Sequence, residues 1–278
     1  MLSMTKRPWL SSVLLLPLAL AAALPLASLR AQDAPPPKKI DVSRFTSSVD
    51  EVVIPVPSEI FNALDKLGGL PNWGSVLPTE ESKVRYKVPA QVALLLGNVI
   101  ADGFVAVEAK DSGRVEKIGR RVIELSNALG VGKSVISHCN AISDAAKKDQ
   151  WDSVRTELDR TQNSVREAMK ALHSKDEAEL VSIAGWLRGT DALTFLISKE
   201  YKPDRADLLH QPEMLDTFDK QFENMTPSVK ADKMVSEVRA GFKKIKPMVD
   251  AKDGEPIPQK TVGEINGITS GLVKLIAP

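Results

Sequence analysis

From residue 89 onward, apolar positions recur every three or four residues, with charged positions between them. The run 150–173 shows the pattern plainly: Val154, Leu158, Thr161, Val165, Met169 and Leu172 make one stripe on an otherwise polar cylinder. The same spacing predicts helices over 58–67, 89–110, 112–128, 133–147, 150–173, 175–199, 203–223, 228–247 and 259–276. Breaks between them are marked by Gly130 and Gly132, by Lys202-Pro203, by Thr226-Pro227 and by the run Asp253 to Pro258. Pro212 should bend or divide the 203–223 segment, because it has no N–H to give a helix interior. No fixed-period repeat and no long polar linker interrupts the series. The expected fold class is therefore all-α: a single-domain bundle of about eight helices spanning 51–278.

Upstream the pattern changes. "DEVVIPVP" and "ESKVRYKVP" each place a short β-prone run before a Val-Pro pair and an apolar helix. Pro57 and Pro89 suit a first helical turn, where a missing N–H costs little. Val52–Val56 and Val84–Val88 are expected to pair as a small two-stranded ribbon. Residues 32–50, with "APPPKK", read as a proline-containing tether and lead-in. Residues 1–31 read as a secretory signal peptide: Lys6 and Arg7 precede a long apolar run, and Ala31 supplies a small residue at the expected cut. An exported chain, periplasmic or extracellular, is the expectation.

Two segments are apolar almost all round, "VPAQVALLLGNVIADGFVAV" (88–107) and "VSIAGWLRGTDALTFLIS" (181–198). Such helices are normally buried. Gln91, Asn98 and Asp102 in the first argue against a lipid-facing span, where a central aspartate is costly, and no transmembrane helix is expected in the mature chain. Small residues recur at four-residue spacing on both, Ala93, Gly97 and Ala101 on one and Gly185 and Gly189 on the other, and again at Gly263, Gly267 and Gly271 on the last helix. Each helix glycine costs about 1 kcal/mol relative to alanine. Close approach of helix axes would compensate, and tight packing inside the bundle is expected at all three stripes; a groove left open by the missing side chains is the functional alternative.

The second apolar segment carries Arg188 and Asp191, three apart and so on one face. A buried arginine without partners costs several kcal/mol. Asp191 is one partner; Asp102 and Asn98, four apart on the other apolar helix, are the natural second set. Helices 89–110 and 175–199 are thus expected at the centre, with Arg188 bridging Asp191 and Asp102 and with His138 and Asn140 extending the network. Such a network serves either as a structural clamp that fixes helix register or as the lining of a pocket in which the forked guanidinium holds an anion.

Composition and motifs narrow the chemistry. Loss of residues 1–31 removes Lys6, Arg7 and Arg30 from the 37 basic residues and none of the 36 acidic ones, so the remainder carries 34 bases against 36 acids. That balance argues against a nucleic-acid binder. Aromatic residues, at 5%, offer little material for a stacking platform. Cys139 is the only cysteine, so no internal disulfide forms, and it reads as a small buried residue. Gly132-Lys133-Ser134 resembles the end of a phosphate-binding loop, but position 127, where that loop needs glycine, is asparagine. His138, His173 and His210 are scattered; Asp207, His210 and Glu213 are the nearest approach to a ligand cluster, and no metal or cofactor is expected. Glu157 and Asp159 read as solvent-exposed acids, and no nucleophile–base pair is legible. The expected function is that of an exported binding or scaffold protein of the cell envelope, docking a protein partner through helix faces. A periplasmic protein binding a small anionic ligand through Arg188 is the alternative, and an enzyme comes last.

Overall fold

The computed structural model describes residues 46–49, 52–55, 61, 72–80, 82–171, 175–250 and 255–278, all within one compact unit, Pro37–Pro278. The expected signal peptide, most of the tether, and the 58–67 helix apart from Phe61 lie outside the described residues.

Eight long helices organise the rest: α1 Pro89–Glu108, α2 Ser112–Ala128, α3 Ile136–Lys147, α4 Trp151–Ala171, α5 Lys175–Lys199, α6 Pro212–Asn224, α7 Lys233–Val249 and α8 Gln259–Ile276. The fold is an all-α bundle. Pro89 and Pro212 each sit in a first helical turn. Asp111 and Asp232 cap α2 and α7, accepting from the N–H groups of Arg114, and of Met234 and Val235. Three expected helices are shorter or divided. The 203–223 segment becomes a one-turn helix, Pro203–Ala206, a 3-10 turn, Asp207–Leu209, and α6, because Pro212 begins a new helix. Asp232 likewise separates the turn Pro227–Lys230 from α7. Residues Gly132–Ser134 form a 3-10 turn ahead of α3.

The ribbon has a different partner from the one expected. Thr46–Val49 (β1) and Val52–Pro55 (β2) pair antiparallel, with Thr46 opposite Pro55 and Val49 opposite Val52. Pairing across two residues closes a far shorter loop than pairing with 84–88 would. Residues 84–88 hold no strand; Arg121 donates to the Val84 carbonyl, and the Tyr86 hydroxyl donates to the Ile276 carbonyl at 3.0 Å.

The main core is built on α1 and α5, which make the most extensive helix pair in the molecule. Leu94, Leu95, Leu180, Ile183 and Leu187 are fully buried between them and their neighbours. From this pair, α8, α7 and α6 pack in succession, with Trp186 meeting Phe218 and Phe242, and Phe242 meeting Phe222, at ring separations of 5.2 to 5.9 Å. Helices α2, α3 and α4 extend a second cluster around Val105, Val115, Ile118 and Val154. By length and composition α1 and α5 could each cross a membrane, yet 67% and 72% of their most apolar windows are buried within the protein. That burial accounts for their apolar character.

The α1–α5 pair touches where the small residues meet. A Cβ on Gly97 would lie 2.2 Å from the Val181 carbonyl oxygen and 2.8 Å from the Ala184 Cβ, so only glycine permits this crossing. Further along α5 an added Cβ on Gly189 meets no described residue within 4 Å, so the tight packing expected there does not extend to it, and the stripe on α8 behaves likewise. Gly263, Gly267 and Gly271 face open space, with nothing within 4 Å of an added Cβ, and the tight packing expected there does not occur. The α8 side that packs on the core carries Val262, Ile265, Thr269, Leu272 and Ile276, which leaves the glycines on the opposite side.

Candidate functional site

Arg188 lies at the centre of the bundle with its side chain 4% exposed. Its Nε donates to Asp102 Oδ1 at 2.7 Å across the α1–α5 interface, and its Nη1 donates to Asp191 Oδ2 at 3.0 Å, one turn along α5. Its Nη2 donates to the main-chain oxygen of Val76. The structure thus brings Arg188, Asp102 and Asp191 together. Asp191 is held from α8 as well: Thr269 Oγ1 lies 3.1 Å from Asp191 Oδ1, and the Asn266 amide donates to the Asp191 carbonyl at 3.2 Å and to Thr194 Oγ1 at 3.1 Å. Two helices and the 3-10 turn Trp73–Val76 therefore meet at a single guanidinium, and α8 reaches it through Asp191.

The loop contact continues through a second arginine. Arg114 of α2 donates to the carbonyls of Pro78 and Thr79 at 2.6 and 3.2 Å. The segment 76–79 is strapped to the bundle by Arg188 from one helix and Arg114 from another. Burial pushes the Asp102 carboxyl above its ordinary value; Arg188 opposes this, Asp191 adds to it, and Arg114 weakly opposes it.

Asn98 and His138 do not join this centre. Asn98 is 2% exposed, and neither its Oδ1 nor its Nδ2 has a hydrogen-bond partner among the described residues. His138 belongs to α3, which packs on α2 and α4 rather than on α5, so its ring cannot reach Arg188. It sits between two residues of α4 instead: Nδ1 lies 3.2 Å from Glu157 Oε1 and Nε2 lies 2.7 Å from Ser164 Oγ. Glu157 is correspondingly not the exposed acid expected; its side chain is 20% exposed and also faces Arg160 at 3.7 Å. Asn140 points to solvent.

The remaining motifs resolve simply. Burial pushes the Cys139 thiol up to about 11, which keeps it protonated and unreactive near neutrality. In the Gly132-Lys133-Ser134 turn, a Cβ on Gly132 would strike the side chain of Asn127, so the asparagine that breaks the phosphate-loop pattern also fills the space beside the turn. No group of three His, Cys, Asp or Glu among the described residues is placed to hold a metal ion.

Sequence reasoning missed Val76, Arg114, Asn266, Thr269 and Ser164. Asn266 and Thr269 are three apart on α8, which was the available signal; a carbonyl such as that of Val76 leaves none.

Chemically, the Arg188 centre is a clamp. Each of the three guanidinium nitrogens already donates to a carboxylate or a carbonyl, so no free fork is turned toward an incoming anion. Compared with known proteins, the chain matches no family model, no curated protein and no solved structure.

Proposed function

We propose that the protein is an exported helical scaffold that docks a helix of a protein partner on the outer face of α8. The observation that carries this reading is the row Gly263, Gly267 and Gly271, which has open space where side chains would stand. Three glycines at one spacing cost about 1 kcal/mol each against alanine, and no contact with the described residues compensates. A partner helix laid against a side-chain-free row could bring its backbone close, as Gly97 does for α5. Leu275, four residues beyond Gly271, is 38% exposed and continues the row with an apolar anchor. Export rests on the basic start and apolar run of residues 1–31. Binding of an anion at Arg188 is the weaker reading, because each guanidinium nitrogen already donates to Asp102, Asp191 or the Val76 carbonyl.

Site-specific photo-crosslinking in the exporting host tests the proposal. A photoreactive residue at position 267 should give one discrete adduct with another protein, mapping to a helix of that protein. The same probe at Lys244, exposed on α7, should give none, and Gly271→Arg should abolish the adduct. Adducts only between two copies of this chain, or no adduct at 267, would overturn it.

A further inference from the structure

The arrangement around His138 is a second centre, independent of the docking face. Ser164, His138 and Glu157 stand in the order hydroxyl, imidazole, carboxylate, at 2.7 and 3.2 Å. Helix geometry produces the alignment: Glu157 and Ser164 are seven residues apart on α4, hence two turns apart on one face, and His138 enters between them from the first turn of α3. The carboxylate can only accept, so Nδ1 carries a proton toward Glu157, and in the neutral ring Nε2 is left to accept from the Ser164 hydroxyl. That tautomer is the one a base needs to remove the hydroxyl proton.

One further feature suits a reacting centre. The side chains of His138 and Glu157 are 23% and 20% exposed, so the pair is held in place yet not sealed from solvent.

We propose that Ser164 is a nucleophile toward small carboxylic esters, with His138 as its base and Glu157 as the residue that positions the imidazole. The Ser164 oxygen attacks the ester carbonyl carbon while its proton passes to His138 Nε2. The tetrahedral adduct collapses, the carbon–alkoxy bond breaks, and the proton on Nε2 leaves with the alcohol. Water then attacks the acyl-serine ester, giving its proton to the same nitrogen; the carboxylic acid is released and Ser164 is reprotonated.

The test uses the intact mature chain, a fluorophosphonate probe and p-nitrophenyl acetate. The probe should label one serine, mapped to Ser164 by peptide mass, and p-nitrophenyl acetate should give a burst of one equivalent per chain. Ser164→Ala should abolish both, and His138→Gln should slow labelling by about 100-fold or more, the share a positioned base supplies. Glu157→Gln should lower kcat with KM unchanged, and Glu157→Asp should restore part of it. Each variant is compared at matched circular dichroism; should one unfold, site mapping on the unaltered chain decides. Absence of labelling, labelling elsewhere, or turnover that survives Ser164→Ala would overturn the proposal.

Discussion

Arg188 Nε and Asp102 Oδ1, 2.7 Å apart, tie the two most apolar helices of the molecule to each other. The bond sits one turn beyond the Gly97 crossing, so the closest backbone approach and the strongest polar contact fix the same α1–α5 register. Removing one side of such a buried pair strands the other charge, which typically costs about 3–5 kcal/mol. Arg188→Ala should therefore lower the unfolding free energy by about that amount in urea denaturation. Replacing Arg188, Asp102 and Asp191 together by Met, Leu and Leu should recover most of the loss, since apolar side chains leave no stranded charge.

Asp102 adds a pH dependence whose sign follows from its raised carboxyl. The folded chain holds that proton more tightly than the unfolded chain does. Ionised Asp102 therefore weakens folding above the folded pKa, and the penalty is relieved as pH falls toward the ordinary carboxylate value. Arg188, Asp191 and Arg114 are the charges that act on it. Urea midpoints of the unaltered chain, with those of Asp102→Asn subtracted, should rise as pH falls through this window. A flat or falling difference would contradict the assignment.

Glycines that look alike in sequence should respond oppositely. Gly97→Ala forces a Cβ against the Val181 carbonyl, a backbone atom that cannot swing aside. Overpacking of this kind costs about 1–3 kcal/mol, enough to outweigh the helix-propensity gain of about 1 kcal/mol. Gly267→Ala meets nothing within 4 Å and should stabilise by up to that propensity gain. Thermal melts of the two variants should shift in opposite directions.

The Arg188–Asp102–Asp191 contact was legible because Asp102 is the only acid within the apolar run 88–107 and buried charge demands a partner. The helical periods and most stops were legible too, through proline and glycine. Which faces meet was not. The α8 glycines repeat at the same spacing as the small residues of α1 and α5, yet their side of the helix is turned outward, a choice made by Val262, Ile265 and Leu272 packing on the core. His138 was misplaced for the same reason. Its residue type suggested a polar partner, but the identity of the partners depends on α3 lying against α4, and spacing along one helix does not encode that. The contact from Val76 is a main-chain one, set by a loop path rather than by residue type.

Asn98 gives the sharpest separation between stability and function. Its amide is buried on α1 one turn before Asp102, and neither polar atom is hydrogen-bonded to the described residues. A buried polar group left in that condition costs about 1–3 kcal/mol. Leucine has nearly the same shape and removes the penalty while adding apolar burial. Asn98→Leu should therefore raise the urea midpoint without changing the m-value, since the surface exposed on unfolding is almost the same. It should leave crosslinking from position 267 and labelling of Ser164 unchanged, because Asn98 belongs to neither centre. A fall in stability would mean instead that the amide is satisfied in solution, and a crystal structure of the unaltered chain would then show a polar group within 3.5 Å of it.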